Sequence, residues 1–157
     1  MVPLATGEHE SEAASIARRV PEEVATGKNL DLVEELYAED CVEHGPFGQD
    51  TEGRDAVREQ LEAFVDAFPD FEATVEDAVT EGDTVAMRVT LSGTHDGPFM
   101  GIEPTGESFR VQNMVFTRVE DGRIVERWVQ PDTLGMLAQM GVVDSPVPPA
   151  AAEERGG

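Results

Sequence analysis

The second half of the chain alternates between apolar and polar residues over four segments, and this pattern limits the possible folds more than any other feature. The alternating segments are residues 71–79, 84–94, 108–119 and 123–130. Successive side chains of a β-strand point to opposite faces, so period-two alternation predicts strands with one buried face. Gly82 marks a turn between the first two segments, and Asp121–Gly122 supplies the positive φ angles of a tight hairpin between the last two. These features predict an antiparallel meander.

The first half of the chain has helical periodicity instead. Apolar residues recur every three or four positions over residues 12–26, 30–37 and 53–68, which predicts three helices. Pro21 should kink the first helix, because proline lacks the amide hydrogen of the helix bond, and Asn29 can cap the second. We also expect a short strand at residues 41–44 and a short helix at 133–140. Helices followed by a meander predict an α+β fold with helices covering one face of the sheet.

The length of 157 residues fits one domain, which we place at residues 10–143. Residues 1–9 and 144–157 are expected to be disordered tails, and the C-terminal one contains too little apolar surface to fold. Cys41 is the single cysteine, so it cannot form an internal disulfide and should be a small core residue. The sequence shows neither a secretory signal nor a stretch of 18 apolar residues, so we expect a cytoplasmic protein that does not enter a membrane.

The acidic composition excludes two classes of partner. Asp and Glu total 33 against 11 Lys and Arg, which gives a formal net charge of −22. A field of this sign repels nucleic acid and anionic membranes. The acidic residues are spread along the chain, which favours adaptation to high salt, where self-repulsion is screened. A generic acidic soluble protein is the alternative interpretation.

Several segments, in the same order along the chain, resemble the SnoaL-like polyketide cyclases, often called ester cyclases. The resemblance covers roughly residues 10–143. It is carried by AFPDF at residues 67–71, EGDTVAMR at 81–88, GTHDGPFMGIEPTG at 93–106, DGRIVERWVQPD at 121–132 and LGMLAQMG at 134–141.

The resemblance implies the nuclear transport factor 2 fold, in which a curved antiparallel or mixed sheet forms a cone with helices over it and a pocket inside. It also implies a homodimer, commonly formed sheet to sheet. The best-understood members close a ring by aldol condensation without metal or organic cofactor. An aspartate at the end of the strand that contains tryptophan acts as acid and base, and that position matches Asp132. Many relatives share the fold without an established reaction.

Asp132 is the first catalytic candidate. In a regular strand it shares a face with Glu126, Trp128 and Gln130, although Pro131 can disturb this register. One carboxylate can serve as both base and acid in an aldol closure if burial raises its pKa towards neutrality. Asp132 also directly precedes the last helix, so the alternative is that it only caps that helix.

Two histidines are further catalytic candidates. His95 lies where a strand enters a loop rich in glycine and proline, and a neutral imidazole there can donate to a carbonyl or carry a proton. His44 ends the first short strand, near the pocket mouth that the resemblance implies. The alternative is a loop histidine bonded to local backbone for His95 and a turn histidine for His44. The two histidines with Glu126 or Asp132 are a conceivable metal set, but no local ligand spacing supports it, so we expect no metal.

A second group of residues is expected to line or cover the pocket, with ordinary core packing or, for Asn113, a solvent-facing strand position as the alternative. These residues are Trp128, Gln130, Phe47, Phe99, Met100, Asn113 and Met114.

Three functions suit these features. The leading hypothesis is a cyclase that acts on a small apolar carbonyl compound by acid/base catalysis without cofactor, with related hydrolysis or isomerisation left open. The second is a module that binds a small hydrophobic ligand without turnover. The third is a dimeric scaffold with a vestigial pocket, in which side chains should fill the cavity.

Overall fold

The computed structural model describes residues 11–145. The predicted tails at residues 1–9 and 144–157 lie outside the described residues, apart from Asp144 and Ser145.

In the described part of the chain, six strands form one open sheet. They are β1 (Tyr37–His44), β2 (Asp50–Glu52), β3 (Glu72–Glu81), β4 (Thr84–Thr94), β5 (Ser108–Glu120) and β6 (Arg123–Pro131). Their order in the sheet is β2-β1-β6-β5-β4-β3. Only β1 and β6 are parallel, and the other neighbours are antiparallel. The predicted α+β class with a mixed sheet is confirmed, whereas the short strand β2 was not predicted.

The helices lie close to the predicted positions. They are α1 (Glu12–Arg19), a π-helical segment (Val20–Thr26), a 3-10 turn (Leu30–Leu32), α2 (Val33–Leu36), a 3-10 turn (Pro46–Gly48), α3 (Arg54–Ala67) and α4 (Thr133–Gln139). The kink expected at Pro21 is a change from α-helix to π-helix. Asn29 makes no capping hydrogen bond. The second helix ends early because Tyr37 already pairs with Ile124 of β6 and is buried.

The alternation of burial separates an inner from an outer face of the sheet. On β5, residues from Phe109 to Val119 are buried at every second position. Helix α1 packs on β3, β4 and β5, and α3 packs on β1. Bulges between Val75 and Asp77 and between Arg118 and Val119 interrupt the register. Bulges bend strands and increase their twist, so they add curvature to the sheet that encloses the inner face.

Candidate functional site

A cavity of about 600 Å³ lies between the inner face of the sheet and the helices. Its walls are mainly aliphatic and aromatic, which suits a small apolar ligand. The cavity is not filled by side chains, as a vestigial pocket would be. The apolar wall includes Val20, Leu61, Phe64, Phe71, Met87, Val89, Leu91, Phe99, Val115, Val129 and Met136.

One ion pair lies in the wall of this cavity. Arg127 Nη1 donates to Glu43 Oε1 at 2.8 Å and to the Tyr37 hydroxyl at 3.0 Å. Both Glu43 and Arg127 are buried, and both line the cavity. Burial raises the pKa of Tyr37, so its hydroxyl stays protonated. Burial alone would lower the pKa of Arg127, but Tyr37 and Glu43 more than offset this and raise it. The guanidinium is therefore a permanent cation.

Asn113 supplies a second polar group to the cavity. It lies on the inner face of β5, opposite Val89 on one side and Pro131 on the other. Its side chain is buried, and Oδ1 has no hydrogen-bond partner within residues 11–145. A buried amide oxygen without a partner is costly, so this position is suited to receive a donor from a ligand.

Asp132 occupies the N-cap of α4. Its Oδ1 accepts a hydrogen bond from the Gly135 amide at 2.9 Å, and the residue is exposed. Its neighbours Pro131 and Thr133 line the cavity, whereas Asp132 does not. The carboxylate therefore lies at the rim of the cavity and is directed to the helix, which matches the capping alternative.

His95 is completely buried but does not line the cavity. Its Nδ1 accepts from the Thr105 amide at 3.2 Å and lies 3.0 Å from the Thr105 hydroxyl. Its backbone also bonds Glu107 and Gly106. His95 thus holds together the two ends of the loop between β4 and β5. Nε2 is buried without a partner within the described residues.

His44 lies on the outer face of the sheet, away from the cavity. Its Nε2 lies 2.7 Å from Glu126 Oε2, and its Nδ1 lies 2.9 Å from Asp50 Oδ1. These carboxylates, Glu126 first, raise the pKa of His44. Glu126 also accepts a hydrogen bond from Arg118 at 2.8 Å. The pKa of Glu126 is lowered, chiefly by the bond from Arg118 and next by the bond from His44.

The expected pocket residues divide between the two faces. Phe47, Phe99, Met100 and Asn113 line the cavity. Trp128, Gln130 and Met114 lie on the outer face instead, where Trp128 stacks on His44 at a centroid distance of 5.4 Å. The physical reason is the alternation on β6: Arg127 and Val129 face inwards, so residues 126, 128 and 130 face outwards.

Sequence reasoning missed Glu43 and Arg127. Glu43 lies two residues after Cys41, an expected core residue, and residues two apart on a strand point to the same face. This spacing would have placed Glu43 on the inner face. No local signal joins Glu43 to Arg127, because they meet only through the parallel pairing of β1 with β6.

Within residues 11–145, no cluster of three or more histidine, cysteine or acidic side chains could hold a metal ion. In the same part of the chain, no helix is long and apolar enough to cross a membrane.

Comparisons with known proteins agree with this architecture. The family model described as SnoaL-like polyketide cyclase matches residues 15–140. The aklanonic acid methyl ester cyclase DnrD of Streptomyces peucetius is 30% identical over 132 residues, which cover 80% of this chain and 88% of DnrD. The crystal structure of IdmH from Streptomyces antibioticus is 35% identical, with a TM-score of 0.74, and covers 84% of this chain and 100% of IdmH. A SnoaL-like protein from Jannaschia sp. CCS1 has a TM-score of 0.79 at 24% identity, covering 85% of this chain and 94% of that one.

Proposed function

Because the chain belongs to the SnoaL-like polyketide cyclase family, we propose that it closes a ring in a small apolar carbonyl compound held in the cavity. The observation that carries this proposal is the open, mainly apolar cavity with a few polar groups in its wall. Such a cavity holds a flexible ligand in a folded conformation and brings its reacting carbons together. The proposed reaction uses acid/base catalysis and requires no cofactor.

The proposed step is an intramolecular aldol closure. A base removes a proton from the carbon next to one carbonyl, and that carbon bonds to the carbon of a second carbonyl. The second oxygen takes up a proton and becomes a hydroxyl, so the product is an isomer of the substrate. One carboxylate that accepts and returns the proton is sufficient.

We propose Asp132 as this carboxylate, in line with the family resemblance. Its position between two lining residues supports the proposal, which requires a side-chain rotation that turns the carboxylate towards the cavity. The rotation breaks the bond to the Gly135 amide. Losing such a cap costs about 1 kcal/mol, which ligand binding can supply. Under this proposal His44 and His95 act at a distance from the ligand, as positioning residues for β1 and for the loop between β4 and β5.

One observation favours a second candidate function, a binding module without turnover. The Asp132 carboxylate is exposed and caps α4, which is the arrangement expected for a purely structural aspartate. In that case the cavity stores or senses an apolar ligand.

Incubation with aklanonic acid methyl ester, the compound in the name of the relatives, separates the two functions. If the chain is a cyclase that uses Asp132, the ester is converted to a ring-closed product of the same mass faster with the protein than in buffer alone. Asp132→Asn should then be folded and should lower the rate to that in buffer. Glu39→Gln, an exposed carboxylate on β1, is the matched control and should retain activity. Saturable binding of the ester, with ring closure no faster than in buffer alone, would support the binding module and contradict the cyclase.

We further propose that the protein forms a homodimer through the outer face. A row of side chains crosses this face from β3 to β1: Val79, Ala86, Phe116, Trp128 and His44. Phe116 is 51% exposed and Trp128 is 39% exposed. We call these five residues the outer row. An apolar strip of this kind on an open sheet is suited to a protein interface. The cytoplasm remains the expected compartment.

A further inference from the structure

The Glu43–Arg127 pair presents an acceptor and a donor side by side in the cavity wall, and we infer that it is the recognition site for a neutral hydroxy-carbonyl edge of the ligand. In this arrangement a ligand hydroxyl donates to Glu43 and the adjacent carbonyl accepts from Arg127. The inference rests on the proposed function, since it takes the cavity as the place where the substrate binds.

The pair has hydrogen-bonding capacity that the protein does not use. Arg127 bonds Glu43 through Oε1, so Oε2 is the oxygen that the pair leaves as a further acceptor. Arg127 Nε is buried and has no partner within residues 11–145. A carboxylate accepts, and a guanidinium donates, several hydrogen bonds at once. Unused capacity next to an open cavity is what a ligand-binding pair requires.

Stability alone does not explain a charged pair in this wall. Moving two charges out of water is expensive, and replacing a buried ion pair with apolar residues of similar volume is often neutral or stabilising. In this cavity, apolar residues in place of Glu43 and Arg127 would also extend the apolar wall formed by Val115 and Val129. The presence of the pair therefore indicates a role in ligand selection.

The charges of the site select against anionic ligands. Glu43 and Arg127 are the only charged residues among the described residues that line the cavity, and their charges cancel. A ligand carboxylate would add an uncompensated charge next to Glu43 in a largely apolar space. The net charge of −22 opposes the same ligand at a distance. A neutral ligand avoids both penalties.

A second polar position sets the length of the ligand. Arg127 pairs with Thr117 on β5, and Asn113 lies four residues further along the same strand. At about 3.4 Å per residue, the two positions are roughly 14 Å apart along the strand. Val115 and Val129 lie between them and face the cavity. The site therefore suits an apolar body with a hydroxy-carbonyl edge at one end and a hydrogen-bond donor near the other.

Calorimetric titration with three naphthalene ligands tests this assignment. The ligands are 2-(hydroxyacetyl)naphthalene, whose hydroxyl lies next to the carbonyl and is free to donate; 2-acetonaphthone, which lacks the hydroxyl; and 2-naphthoate, which is anionic. We expect the wild type to bind the hydroxy-ketone about tenfold more tightly than the ketone, as for a hydrogen bond to a charged group, and the anion least. Glu43→Gln should remove most of the preference, and Glu39→Gln on the same strand should keep it.

The outcomes separate the recognition site from the proposed function. If Glu43→Gln is folded and keeps the full preference, or if the anion binds as tightly as the hydroxy-ketone, the recognition site is overturned while the cavity function stands. If none of the three ligands binds the wild type, both the recognition site and the proposed function of the cavity are contradicted. Should Glu43→Gln fail to fold, the double variant Glu43→Leu/Arg127→Met removes both charges and must likewise lose the preference.

Discussion

At the scale of single residues, two carboxylates near the cavity differ in what surrounds them. Glu43 is buried and held by Arg127, whereas Asp132 is exposed and bonded to the Gly135 amide. Asp132 therefore has a measurable structural role whatever its part in catalysis. Asp132→Ala should lower the free energy of unfolding by about 1 kcal/mol, and Asp132→Asn should change it little, because asparagine also caps helices. Urea denaturation measures both, and equal losses for Ala and Asn would contradict the capping role.

His44 should titrate above its ordinary pKa. Glu126 and Asp50 raise this pKa above 6.5, so the charged imidazole is favoured in the folded state. A group whose pKa is higher in the folded than in the unfolded state stabilises the fold. This stabilisation is complete at a pH below the pKa of the unfolded state, and it is lost as the pH rises through the pKa of the folded state. The melting temperature should therefore fall over the window from pH 6.5 to the raised pKa, and less so in His44→Gln. NMR titration of the imidazole checks the shift, and Glu126→Gln should move the His44 pKa downwards.

At the scale of elements, close contact at a glycine fixes the loop between β4 and β5 to the end of α3. The amides of Asp96 and Gly97 both donate to the Ala67 carbonyl at 3.0 Å. A Cβ added at Gly97 would lie 2.4 Å from the Asp66 carbonyl oxygen, which is backbone and cannot move aside cheaply.

Gly97→Ala should therefore destabilise the protein by about 1–3 kcal/mol, as overpacking does elsewhere. Gly45→Ala is the matched control, because its added Cβ would approach no atom closer than 3.5 Å. Thermal or urea unfolding of both variants measures the difference. Equal stability of the two would show that the loop is not held against α3 in this way.

The elements also show what the sequence could and could not predict. Strand β4 has the predicted bounds, because its alternation and the adjacent turn are local signals. The same alternation shows which residues of β6 share a face, but it does not show which face the helices cover. Trp128 was expected inside because it is large and apolar, yet Arg127 occupies the inner face beside Glu43. That arrangement depends on a parallel pairing between residues 84 positions apart, which leaves no local pattern.

At the scale of the whole molecule, charge should make stability depend on salt. With 33 acidic and 11 basic residues, repulsion outweighs attraction, and repulsion opposes the compact state. In molar KCl the Debye length falls to about 3 Å, which screens this repulsion. The melting temperature should therefore rise from dilute buffer to concentrated KCl. Equal midpoints in the two solutions would exclude salt adaptation.

The proposed homodimer depends on the outer row. Phe116→Asp places a charge in its centre and should convert a dimer to a monomer in sedimentation experiments at high salt. Leu134→Asp is the control, since Leu134 is equally exposed at 51% but lies on α4. A wild type that sediments as a monomer, or a Phe116→Asp variant that remains a dimer, would contradict this interface.

Methionine-methyl NMR with 2-acetonaphthone tests most directly whether the cavity is the ligand site. Met87, Met100 and Met136 line the cavity, whereas Met114 lies on the outer face. The ring current of a bound naphthalene shifts nearby methyl resonances, so we predict saturable shifts for the three cavity methionines and none for Met114. Shifts confined to Met114, or no shifts at saturating ligand, would contradict a ligand site in the cavity.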